Sequence, residues 1–136
     1  MEYNLVHAML GRFGVLIPLL GLFFELGAAI TGKKEVSKIS GSIVLSGYVI
    51  VILAGITGFE EIKYLQSVNV FTDRYSLHII LGSIIIFLFT IISFIRIYLF
   101  KNVVEKLVIT YFVLYVVMVF LNLISNEFVI RAVWGR

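Results

Sequence analysis

The sequence predicts an all-α membrane protein: four transmembrane helices in an up-down-up-down bundle, one domain over residues 1–136. Three observations carry this. The chain is 61% hydrophobic with a mean hydropathy of +1.10, more apolar surface than so short a domain can hide from water. The apolar residues fall in four runs, Leu5–Ile30, Ile39–Phe59, Tyr75–Phe100 and Leu107–Ile124. At a rise of ~1.5 Å per residue each is about long enough to cross ~30 Å of hydrocarbon. The connectors Thr31–Lys38, Glu60–Arg74 and Lys101–Lys106 are short, which favours antiparallel neighbours.

The first run has no basic region and no small-residue cleavage site around a short apolar core, so it reads as a retained helix, not a cleaved signal. The second carries Gly47, Ala54, Gly55 and Gly58, small residues suited to close helix packing. The loop after it is the longest, and Ile62, Tyr64 and Leu65 are expected to form an interfacial turn there. The third run is rich in β-branched residues over Ser83–Ile97. It lacks period-two alternation, and a lipid-spanning segment of this length satisfies its backbone as a helix. The fourth places Tyr111, Tyr115, Met118, Asn122 and Asn126 on one face. That polar face is expected to point into the bundle, for interhelical hydrogen bonding or for lining a cofactor or quinone pocket.

The net charge is +3, spread over loops without a basic run, so nucleic acid is not an expected partner. Lys33, Lys34, Lys38, Lys101 and Lys106 gather on one side, with Arg96 nearby. The other side holds Lys63, Arg74, Arg131 and Arg136 among the acids Glu2, Glu60, Glu61, Asp73 and Glu127. The positive-inside rule makes the lysine side cytoplasmic, with both termini outside the cytoplasmic membrane. The absence of cysteine removes disulfides, thiolate metal sites, iron–sulfur clusters and thioether-linked haem.

The residues best placed for chemistry are the two histidines, His7 and His78. Each lies a few residues inside a span, and the two spans run the same way. Two imidazoles at similar depth in a four-helix bundle can ligate haem iron from both sides. A zinc or copper ion would want a third ligand, for which Glu127 or Glu60 is available but not fixed by spacing. His7, Gly11, Gly14, Pro18, Gly21 and Glu25 follow steps of three or four and share one face. The glycines either pack a neighbouring helix or leave room for the edge of a flat macrocycle. Gly82 stands one turn beyond His78 and repeats the arrangement.

Arg12 and Glu25 are intramembrane charges and therefore functional candidates. Arg12 is ~7.5 Å along the axis from His7 and well off the histidine face. Its expected roles are a pair with Glu60, Glu61 or Glu127, contact with a haem propionate, or snorkelling to the interface. For Glu25 the ordinary alternative is contact with cytoplasmic headgroups.

The chain resembles the small four-helix bacterial and archaeal membrane proteins of domain-of-unknown-function family 2231. That family opens near H-P-x-x-V-H-F-P and runs to an acid. Here His7-Ala8-Met9-Leu10-Gly11-Arg12-Phe13-Gly14 is similar, followed by the run to Glu25. Leu53-Ala54-Gly55-Ile56-Thr57-Gly58-Phe59-Glu60 resembles the end of its second helix, and Arg74 through His78 the start of its third. Ser125-Asn126-Glu127-Phe128-Val129 resembles its terminal G-G-E-L-V stretch. Arg12 stands where the family has its second histidine, and Ala8 and Gly14 replace both prolines. The resemblance implies an architecture like that of b-type cytochrome subunits.

The expected function is a membrane b-type cytochrome-like subunit of a respiratory-type complex, not a complete enzyme by itself. One haem b would sit between the first and third helices near the outer face. His7 and His78 would be the axial ligands, with Gly11, Gly14, Gly82, Arg12 and Arg74 around the cofactor. Lipid, other redox or membrane subunits and quinol are the expected partners, with homo- or hetero-oligomers both open. The alternative is a cofactor-free structural or anchor subunit. A transporter is less well supported, because no broken-helix signature appears apart from Pro18.

Overall fold

The computed structural model describes residues 2–69 and 76–134, with side chains over 5–69 and 76–126. It contains α1 (Glu2–Thr31), α2 (Lys34–Ser67), α3 (Ser76–Leu99) and α4 (Glu105–Trp134). All four are long and apolar enough to cross a membrane. Neighbours pack in a closed ring, α1 on α2, α2 on α3, α3 on α4 and α4 on α1, and the diagonal pairs do not touch along their backbones among the described residues. The start of α2 meets the end of α1 at Ser40 and Glu25. The start of α3 meets the end of α4 at His78 and Ser125. Both hairpins are therefore antiparallel, and α1 and α3 run the same way.

Besides the run of α4 to Trp134, past the expected end at Ile124, two helix boundaries differ from the expectation. The turn between α1 and α2 is only Gly32 and Lys33. Gly32 takes the left-handed conformation at φ 65° and donates its N–H to Ala28 O at 2.9 Å, a helix stop that glycine adopts without steric cost. The second difference is larger. α2 continues through Ile62, Tyr64 and Leu65 to Ser67, where a loop with an interfacial turn was expected. No glycine or proline interrupts residues 59–67, and Ile62 and Leu65 are half-buried while Tyr64 is exposed. Lys63 reaches Glu60 at 3.9 Å and lies 4.8 Å from the Phe59 ring centroid. The apolar run had marked only the membrane-deep part of a longer helix.

The core is a single column of Val44, Val51, Ile85, Phe89, Ile92, Tyr111, Tyr115, Met118 and Val119. Phe89 packs on Tyr48 and Tyr115 at centroid separations of 5.4 and 6.3 Å, and Tyr111 meets Tyr115 edge-on at 5.6 Å. Outside the column, large side chains such as Phe23, Phe87, Phe94 and Phe120 are exposed. Apolar exposure on that scale belongs to a protein solvated by lipid. The polar face of α4 points inward as expected, with Tyr111, Tyr115 and Met118 fully buried.

At the end of the bundle nearest the lysines, Glu25 and Arg96 form a buried ion pair. Arg96 Nε donates to Glu25 Oε2 at 2.8 Å and Nη2 to Oε1 at 3.3 Å. Ser40 Oγ also donates to Glu25, and Arg96 Nη2 donates to the carbonyl and hydroxyl oxygens of Ser37. The guanidinium lies 4.6 Å from the Phe100 ring centroid. Gly41 lies against both groups: a Cβ there would come 2.9 Å from the guanidinium carbon and 2.5 Å from the Phe100 ring. Glu25 therefore does not reach for headgroups, and Arg96 drops out of the topology charge count. The five lysines of that side remain exposed.

Removing one member of a buried pair strands the other, at a cost of about 3–5 kcal/mol, whereas replacing both by apolar residues is often near neutral. Glu25→Leu and Arg96→Leu should each lower the thermal midpoint in detergent, followed by circular dichroism. The double variant should be more stable than either single one. Additive losses would show that the pair is not coupled.

Candidate functional site

The stripe on α1 is an inward face: His7 and Gly11 are half-buried, and Gly14, Pro18, Gly21 and Glu25 are buried. Most of it is helix packing. A Cβ on Gly14 would meet Val51 at 3.4 Å, and one on Gly21 would come 2.6 Å from the Tyr115 hydroxyl. Pro18 has no N–H, so it cannot satisfy the carbonyl four residues earlier, that of Gly14. Asn122 Nδ2 of α4 donates to that carbonyl at 2.7 Å. Tyr115 donates to Pro18 O at 2.6 Å. In lipid such freed backbone groups need a partner from a neighbouring helix.

The histidine end is built differently. His7 Nδ1 lies 3.0 Å from Thr57 Oγ1 of α2, and its ring rests against Gly58, where a Cβ would be 2.9 Å from Cε1. His78 Nδ1 lies 2.7 Å from Ser125 Oγ of α4. Each imidazole is thus anchored by Nδ1 to a hydroxyl on the next helix. Neither Nε2 has a hydrogen-bond partner among the described residues. Nothing lies within 4 Å of where a Cβ would stand on Gly11 or Gly82.

The ion pair explains why these rings share a depth. Eighteen residues separate His7 from Glu25, and eighteen separate His78 from Arg96. Eighteen residues are five full helical turns, ~27 Å of rise. Each histidine therefore lies on the same face as its helix's member of the ion pair. Since Glu25 and Arg96 meet across the bundle, His7 and His78 face the same interior at its other end.

The remaining candidates fall differently. Gly14 packs on Val51 and so does not border the open space. Arg12 is exposed, off the stripe, with no described ion pair to Glu60 or Glu61. Arg74, and the side chains of Glu127 and Arg131, lie outside the described residues. No group of three metal-ligating side chains forms among the described residues, so the third protein ligand that zinc or copper would want is not found there. A porphyrin brings its own four nitrogens and asks the protein only for axial ligands. The two imidazoles fit that demand. The sequence did not single out Thr57 and Ser125. A lone hydroxyl in an apolar helix gives no sign of which neighbour it will meet.

Gly58→Ala should cost about 1–3 kcal/mol through overpacking against the His7 ring. In a His7→Ala background the same change should cost little, because the ring it strikes is gone. Detergent unfolding of the four proteins measures this; equal costs in both backgrounds would mean the ring does not sit on Gly58.

No protein-family model, curated protein or solved structure matches this chain, so its function is read from the chemistry of these side chains.

Proposed function

We propose that the chain is a membrane b-type cytochrome-like electron-transfer subunit that holds one haem b between α1 and α3. The observation that carries this reading is the pair of imidazoles on diagonal helices. They share an end of the bundle, are each anchored through Nδ1 and leave both Nε2 atoms without a described partner. His7 and His78 would hold the haem iron, and the open positions at Gly11 and Gly82 give room beside them. A bound haem would supply one-electron chemistry. The protein's part is to orient the ligands and exclude water with the surrounding apolar helices. Arg12 and Arg74 remain assigned to the cofactor's polar edge.

The partners in this reading are lipid, other redox or membrane subunits and quinol. By the positive-inside rule, the five exposed lysines favour an ion-pair end in the cytoplasm, with both termini outside and the haem near the outer face of the cytoplasmic membrane. The likeness to family 2231 supports the same architecture by analogy.

Dithionite-reduced protein purified in detergent should show the sharp bands of six-coordinate low-spin haem. His7→Ala and His78→Ala should each abolish them, because one lost imidazole leaves the iron five-coordinate and weakly held. Arg12→Leu should retain the bands and lower the midpoint potential, since a nearby cation favours the reduced, less positive iron. A haem-free preparation from haem-replete cells, by pyridine haemochrome assay, would favour the structural-subunit reading instead.

Orientation is testable in this cysteine-free chain. Ser67→Cys should react with an impermeant thiol reagent added outside, and Glu35→Cys should not. The reverse pattern would invert the topology.

A further inference from the structure

Thr57 has a single hydroxyl proton to share among the acceptors around it. Oγ1 lies 3.0 Å from Leu53 O and 3.1 Å from Ala54 O. Carbonyl oxygens only accept, so the Thr57 proton is directed to them. With that proton engaged by the carbonyls, the 3.0 Å contact between Thr57 Oγ1 and His7 Nδ1 is one in which the imidazole donates. A neutral imidazole carries one ring proton. With that proton on Nδ1, Nε2 keeps its lone pair.

We infer that Thr57 is a positioning residue that locks His7 as the Nδ1–H tautomer, leaving Nε2 as an electron-pair donor for a metal centre. The inference deepens the haem reading and rests on it for the identity of that centre. Gly58, the next residue on α2, provides the ring's seat: a Cβ there would come 2.9 Å from Cε1 and 3.5 Å from Nε2. Two successive residues of α2 thus set the protonation and the placement of a ligand carried by α1. The counterpart at His78 differs. There the ring meets Ser125 twice, at the hydroxyl 2.7 Å from Nδ1 and at the backbone, and no described bond from that hydroxyl to a carbonyl parallels the one at Thr57.

The chemical consequence is directional. Donation from Nδ1–H to an oxygen makes the imidazole a more basic ligand, which favours the oxidised, more positive iron. Removing the acceptor should shift the reduction equilibrium toward the reduced form. A threefold change is expected, ~28 mV at 59 mV per tenfold for one electron.

The first test needs no haem. The full chain, labelled with 15N-histidine and purified from haem-depleted cells, should show His7 protonated at Nδ1 and bare at Nε2 in the neutral imidazole. The His7→Ala spectrum assigns the signals. Thr57→Ser should keep that tautomer, and Thr57→Val should change the tautomer ratio at least threefold. An Nε2–H tautomer in the unaltered chain would overturn the inference, as would an unchanged ratio in Thr57→Val. If Thr57→Val does not fold, the unaltered chain and Thr57→Ser still decide.

The second test reads the midpoint potential of haem-loaded protein. It should rise in Thr57→Val and hold in Thr57→Ser; an unchanged potential in Thr57→Val would also count against the inference. The two readings fail separately. A colourless protein with the Nδ1–H tautomer defeats haem and spares Thr57. A haem protein whose haem-free form carries Nε2–H does the reverse.

Discussion

The Glu25–Arg96 ion pair is the constraint on which the bundle's geometry depends. It joins α1 to α3, helices whose backbones do not touch among the described residues. Taking two ions out of water costs several kcal/mol each, and only good geometry with further hydrogen bonds offsets this. Ser40 supplies a donor to the carboxylate, and Ser37 two acceptors to the guanidinium. Phe100 and Gly41 pack against the guanidinium. Side chains of fixed length that must meet leave the two helices little freedom to slide or rotate. Because a helix transmits rotation and rise faithfully, the constraint set at one end reappears five turns away at the histidines.

Polar side chains tie every neighbouring pair of helices as well. His7–Thr57 joins α1 to α2, Tyr48–Thr90 joins α2 to α3 at 2.8 Å, and His78–Ser125 joins α3 to α4. Asn122 and Tyr115 join α4 to α1 through carbonyls. Apolar attraction distinguishes poorly between one helix face and another when the solvent is lipid, so close packing and hydrogen bonds choose the faces. Pro18 contributes here by subtraction: the N–H it lacks leaves a carbonyl that only α4 satisfies.

The two ends of the α1–α3 diagonal are thereby chemically complementary. One is closed by opposite charges in contact. The other presents two imidazoles, each held from behind by Nδ1. Such an end is suited to an electron-pair acceptor placed between them, which is how the proposed cofactor would complete the diagonal that the ion pair begins.

The sequence alone determined the membrane class, the number of spans and the inward stripes on α1 and α4, because lipid demands long apolar helices and helical periodicity then fixes which residues share a face. It also contained the equal eighteen-residue spacings. Those spacings acquire meaning only once Glu25 is known to meet Arg96, which no local pattern reveals across a separation of 71 residues. The extension of α2 to Ser67 was hidden because hydropathy reports where lipid ends, not where the helix does. The partners Thr57, Ser125, Ser40 and Asn122 were decided by tertiary packing. A hydroxyl or amide in an apolar helix declares a need for a hydrogen bond, but only the assembled bundle determines which group meets it.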